Sequence, residues 1–267
     1  MAVLSSSLFP RSTGAPRVAR SEVSERTLER ELAAIPRWYN PYMHLAATTG
    51  VGLITLFGSL AMVRHLRPIE LLLVPAIFLL SNAVEWQSHR DVLHRRVWPV
   101  RELYERHTPI HHTVYQYDSM AMRSVRELRL VLIPASGVVS VVVISAPIAY
   151  AIARVLTPNC GWIGLATSGV YVVAYELTHL AYHMPEDSFV GRLHLVQVLR
   201  EHHRRHHHPA LMQKWNFNVT VPIFDWVHRT LAPEEVVARA VVRSRAVRSQ
   251  PSRRSDGESG NGGSKDA

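Results

Sequence analysis

EWQSHRDVLHRRVWPVRELYERHTPIHH, residues 85–112, starts where an apolar run ends and holds five histidines in two clusters, His89/His94 and His107/His111/His112. A matching half follows later, with His179 and His183 in ELTHLAYH and His203, His206 and His207 in REHHRRHHH. The chain has 16 histidines, and ten of them fall into these four groups. Residues i and i+4 of a helix lie one above the other. His179/His183 and His107/His111 are therefore each expected to clasp one ion. His203, His206 and His207 aim two imidazoles at one point and set a third beside it. His89 and His94, five apart, meet only if the helix ends or distorts between them, or if they serve different ions. Ten imidazoles exceed the coordination of a single ion, so two ions with about five each are expected.

The chain has one cysteine, Cys160, which excludes an internal disulfide and a thiolate cluster. Any metal is then held by nitrogen and oxygen. Imidazole suits iron, copper, zinc and nickel; a thiolate-free, nitrogen-rich site fits redox iron working with dioxygen, while ligand type alone leaves zinc open. Metal-bound histidines hand their other N–H to a carboxylate or a carbonyl. Glu85, Asp91, Glu176, Glu201 and Asp225 are the candidate carboxylates. His44, His65, His194 and His228 are read as ordinary polar side chains, and His202 and His208 as flanking residues.

Outward from the histidines lie long apolar runs, of which only the first is free of charge. Residues 42–63 suit a membrane crossing of about 20 residues. Residues 69–84 form a second run after a short turn at Pro68, residues 128–153 a third with Pro134 and Pro147 as kinks, and residues 161–182 a fourth. The expected architecture is all-α and integral to a membrane, with about four transmembrane helices and a His-rich helical cap. An even number of crossings brings all the histidine clusters to one face. The arginines of residues 88–129 assign that face, and both termini, to the cytoplasm. The net charge of +9 thus belongs to membrane flanks, and nucleic-acid binding is not expected. The chain divides into a polar, flexible N-terminal tail (1–40) without the apolar core of a secretory signal, a membrane domain (41–231) and a disordered C-terminal tail (232–267). A short helix is compatible with the spacing of Val23, Leu28 and Leu32.

HRDVLH (89–94), LYERHTPIHH (103–112), HLAYH (179–183), HHRRHH (202–207) and KWNFNVTVPIFDWVHRTL (214–231) together resemble the fatty acid hydroxylase superfamily, the membrane di-iron oxygenases that include sterol desaturases and carotenoid hydroxylases. The resemblance covers about residues 40–231. It implies two non-haem irons held by His89, His94, His107, His111, His112, His179, His183, His203, His206 and His207. It also implies O2 as co-substrate, a lipid substrate (fatty acyl, sterol or isoprenoid) and electrons from an external donor, either cytochrome b5-like or a ferredoxin with its reductase. The sequence departs from the family pattern in three places. Three residues, not two, precede the His111–His112 pair; Asn218 stands where members often carry Gly; and His228–Thr230 replaces a Phe-Gly-Thr ending. The expected activity is hydroxylation of an unactivated C–H bond, with desaturation or methyl oxidation on the same site as the alternative. A His-rich metal transporter and a silent lipid-binding relative are the readings from other classes. Trp86, Trp98, Trp215, Phe217, Phe224 and Trp226 are candidates to line a lipid groove.

Overall fold

The computed structural model describes residues 19–249, and the chain separates into two compact units, Met1–Ala232 and Pro233–Ala267. Among the described residues there is no β-strand, only an isolated bridge between Gln116 and Ser119.

Helix α1 (Glu22–Ala34) is capped by Ser21, whose side chain accepts the Ser24 N–H. Its Leu28 enters a core with Val114, Tyr115, Met122, Leu128, Val131, Leu132 and Met184. Arg20 just before it forms a buried ion pair with Glu127 at 3.2 Å, and Ser24 donates to the Val114 carbonyl. This part of the expected flexible tail is therefore docked, because its apolar spacing finds a partner surface; residues 1–18 lie outside the described residues.

Helix α2 (Pro41–Ala61) starts at Asn40, which accepts the N–H groups of Tyr42 and Met43. A 3-10 turn, Pro68–Leu72, leads into α3 (Leu73–Ser88), and a π-turn, His89–Leu93, ends it. Helix α4 (Arg101–Arg106) likewise runs into a π-turn, His107–His111, before a last helical turn to Val114. The third apolar run is not one helix. Leu128–Val131 is a separate turn, the chain breaks at Leu132, and α5 (Ala135–Val155) starts after Pro134, with Pro147 inside it. Helix α6 (Pro158–Tyr182) follows at once, then α7 (His194–His206) and the short α8 (Ile223–Val227).

Three segments are long and apolar enough to cross a membrane: Pro41–Ala61, Pro68–Leu93 and Val125–Val155. They expose Ile54, Phe57, Leu80, Val143 and Ile144, as side chains facing hydrocarbon do. Helix α6 is not among the three. It packs against α2, α3 and α5 and buries Gly161, Gly164, Ala166 and Gly169, so it trades apolar bulk for small residues that admit neighbours. A Cβ built on Gly169 would lie 3.0 Å from the Gly52 carbonyl, and one on Gly52 would lie 2.9 Å from the Gly169 carbonyl. Helices α3 and α6 are tied at both ends. Glu70, just before α3, accepts from Thr157 Oγ1 at 2.7 Å and Asn159 Nδ2 at 3.0 Å at the start of α6; toward the histidines, Glu85 near the end of α3 accepts from Tyr171 of α6.

In the second unit, Glu234–Ser249 forms helix α9. The C-terminal stretch expected to be disordered is helical over these residues, and those beyond Ser249 lie outside the described residues.

Candidate metal centre

All ten histidines come together, in two groups of five. The ligand atoms of His89, His94, His107, His112 and His206 lie within 4.8 Å of one another, as do those of His111, His179, His183, His203 and His207. His179 and His183 share a group, as i,i+4 spacing requires. So do His203 and His207, while His206 turns to the other group. His107 and His111 do not share one, contrary to the expectation from their spacing. The π-turn explains the difference. The His112 N–H bonds the carbonyl of His107, five residues back, so the ladder is i to i+5, and His107 Nε2 lies 3.1 Å from His112 Nε2. The same geometry serves His89 and His94, where the His94 N–H reaches the His89 carbonyl at 3.2 Å. Pro109, which has no N–H to offer an α-helical ladder, sits inside the second π-turn. The adjacent pairs 111/112 and 206/207 are split between the groups, and the rings of His112 and His207 stack at 4.2 Å, so the two groups are immediate neighbours.

Backbone carbonyls, not carboxylates, orient five of these rings. The carbonyl of Phe217 accepts Nδ1–H of His89, Trp215 that of His206 at 2.9 Å, Leu130 that of His111 at 3.0 Å, Met120 that of His183 at 2.9 Å, and Tyr115 that of His207. The five candidate carboxylates have other partners. Glu85 accepts from Tyr171, Thr220 and the Val219 N–H. Asp91 pairs with Arg90 and Arg95, and Glu201 with Arg204 and Arg205. Glu176 accepts the Ile133 N–H at the break before α5. Asp225 meets His202, outside both groups. No motif or spacing points to Thr108 as a contact of the site. Its hydroxyl donates to the Leu93 carbonyl at 2.7 Å and so accepts from His94 Nδ1 at 3.1 Å.

A test of whether these residues suit a metal follows from tautomers. A carbonyl only accepts, so Nδ1 of His206 carries the hydrogen and its Nε2 keeps a lone pair. The Thr108 contact fixes His94 in the same way. Yet Nε2 of His94 lies 2.9 Å from Nε2 of His206. Two lone pairs facing each other at that distance suit a cation between them. In the other group, Nε2 of His111, His179 and His183 is buried without a hydrogen-bond partner, an arrangement that calls for an ion. Protonation does not supply the charge. Burial above all, and then the neighbouring imidazoles, push His94 down to about 2; burial pushes His111 down to about 4. His107, His112, His203, His206 and His207 are driven well below the usual imidazole range by the same burial. The residues fit two metal ions.

Phe217 packs edge-on against the rings of His89, His94 and His206, and Trp86 is buried beside it. Trp98 and Trp226 are 84% and 71% exposed and so do not line an enclosed groove. His44 bonds Tyr39 and the Ile133 carbonyl, and His228 stacks on Trp86; neither joins a group. The left-handed residues of the final stretch are Asn216, with φ 58, and Arg229, with φ 54; Asn218 is not one of them. Asn218 instead uses its amide, accepting from the Asp225 N–H and donating to the Asn82 carbonyl.

No curated protein and no solved structure matches the chain. The family model described as fatty acid hydroxylase matches residues 74–230, a segment that holds all ten histidines and more than half of the chain. By that match the chain belongs to the fatty acid hydroxylase family.

Proposed function

We propose that this protein is a membrane-bound non-haem di-iron oxygenase that hydroxylates an unactivated C–H bond of a lipid. The observation that carries the reading is the pair of five-histidine groups, side by side and free of thiolate. Iron held there would supply the reduction of dioxygen that such a bond demands, one oxygen atom entering the lipid and the other leaving as water, with electrons from an external donor. The chain's own part is to hold ten neutral imidazoles in place, five of them through carbonyl contacts that fix the tautomer. Burial keeps bulk water from the groups, and Phe217 covers the first of them. The catalytic domain in this reading covers residues 41–231, with α1 docked onto it.

The reading includes four crossings. Helix α6 has 25 residues, about 37 Å at 1.5 Å per residue, and it is tied to α3 at both ends, so it covers the thickness that α3 covers. Four crossings put both ends of the bundle on the histidine side, where Arg90, Arg95, Arg96 and Arg101 favour the cytoplasm.

Metal analysis and Mössbauer spectroscopy on detergent-purified protein made in iron-57 test the proposal. Close to two irons per chain with coupled ferric spectra is the expected result, followed by hydroxylated lipids in extracts of expressing cells; unsaturated products would reassign the reaction to desaturation. His179→Ala and His206→Ala should each remove one iron and abolish turnover while the protein stays in the membrane fraction. A folded wild type that binds no metal would sink the reading.

A further inference from the structure

Asp225 is fully buried in α8 and uses all the acceptor sites a carboxylate offers. Its Oδ1 accepts from the Phe217 N–H at 2.9 Å and from Thr230 Oγ1 at 2.6 Å. Its Oδ2 accepts from the Asn218 N–H at 2.8 Å and lies 3.1 Å from Nε2 of His202. The Asn218 N–H and the Phe217 carbonyl are the two ends of one peptide unit, and that carbonyl accepts Nδ1–H of His89. A continuous line of hydrogen bonds therefore runs from a carboxylate, through a single peptide, to an imidazole of the first histidine group. Negative charge at a peptide N–H polarises the unit and makes its carbonyl a stronger acceptor. A stronger acceptor at Nδ1 makes the opposite nitrogen a better donor to a cation and fixes the ring's orientation. His206 has the neutral counterpart. Its Nδ1 meets the Trp215 carbonyl, and the N–H of that peptide, on Asn216, donates to the uncharged Thr230 carbonyl at 2.8 Å.

We propose that Asp225 is a positioning residue for the first metal site, acting on His89 through the Phe217–Asn218 peptide, and that His202 tempers its charge from the other side. The inference rests on the di-iron reading. It assigns to Asp225 a role at the metal that its lack of contact with any of the ten histidines conceals.

Two variants of the full-length protein test it, each checked for fold by circular dichroism and titrated anaerobically with ferrous iron against a competing chelator. Asp225→Asn removes the charge and turns an amide N–H toward a backbone donor. One of the two irons should bind about 10–100-fold more weakly, with its reduction potential raised, while the Mössbauer signature of the other is unchanged. His202→Ala removes a donor from the carboxylate and leaves its charge on the peptide contacts, so the same iron should shift to lower potential. Opposite shifts from the two variants are what a merely structural brace would not produce. A folded Asp225→Asn protein that binds both irons with wild-type affinity overturns the proposal, as do shifts of the same sign in both variants. If Asp225→Asn does not fold, His202→Ala decides alone, and an unchanged potential overturns it. A wild type that binds no iron defeats the di-iron reading and this inference with it.

Discussion

Arg229 sits at φ 54, a left-handed conformation that costs a residue with a Cβ roughly 1–2 kcal/mol and glycine almost nothing. The family resemblance expects glycine at this place, so the strain is an expense of this chain's own choice of residue. Arg229→Gly should raise stability by about 1 kcal/mol, measured by thermal unfolding in detergent, with metal content unchanged. At this scale the sequence was readable where residue type carries the message. The ten histidines that the structure gathers into two groups all stand out in the sequence, because imidazoles at three-, four- and five-residue spacings have few other uses at the end of an apolar run. Their orienting partners were not legible. Those are main-chain carbonyls of Tyr115, Met120, Leu130, Trp215 and Phe217, which every residue possesses and only the tertiary fold aims. The carboxylates near the motifs drew attention by proximity along the chain, and most of them neutralise arginines or cap backbone donors instead.

Helix α6 packs against all three helices that are long and apolar enough to cross a membrane. Gly52 and Gly169 bring two backbones so close that neither position has room for a Cβ beyond the tightest contact. Gly169→Val should force α2 and α6 apart and cost about 1–3 kcal/mol, read as a lower unfolding temperature in detergent, whereas Gly58→Ala, where a Cβ meets open space, should change little. Apolar runs announce all four of α2, α3, α5 and α6, but only the first three are long and apolar enough for a crossing. Glycine, serine and tyrosine in α6 reflect its central place among the other helices, and a helix whose neighbours are protein does not need the hydropathy of one whose neighbours are lipid. The π-turns at His89–Leu93 and His107–His111 were only half legible. Five-residue spacing demanded a distortion at the first, but the four-residue spacing of His107 and His111 looked satisfied and concealed the second. One inserted hydrogen-bond step moved His107 from one group to the other.

For the whole molecule the decisive question is which face the histidines occupy. In a Cys160→Ser background, His65→Cys in the short connection after α2 and Arg101→Cys at the start of α4, both exposed positions, should react with impermeant maleimide from opposite sides. Arg101→Cys should be labelled only after the cytoplasmic face is opened; labelling of both from one side would refute the four-crossing arrangement. The N-terminal segment reads differently at this scale than in isolation. Its weak amphipathic spacing gains meaning only when Arg20 meets Glu127, more than a hundred residues away. The split of neighbouring histidines between the two groups also bears on biosynthesis. Each group takes its last members from residues 203–207, and the carbonyl seats of His206 and His89 lie at Trp215 and Phe217. A ribosome delivers seven of the ten histidines before either site can close. It then supplies everything still missing within the passage from residue 203 to 217, about one to three seconds at ordinary elongation rates. On the di-iron reading, metal loading therefore follows the synthesis of residues 203–217, and the second group is complete at His207, shortly before the carbonyl seats of the first.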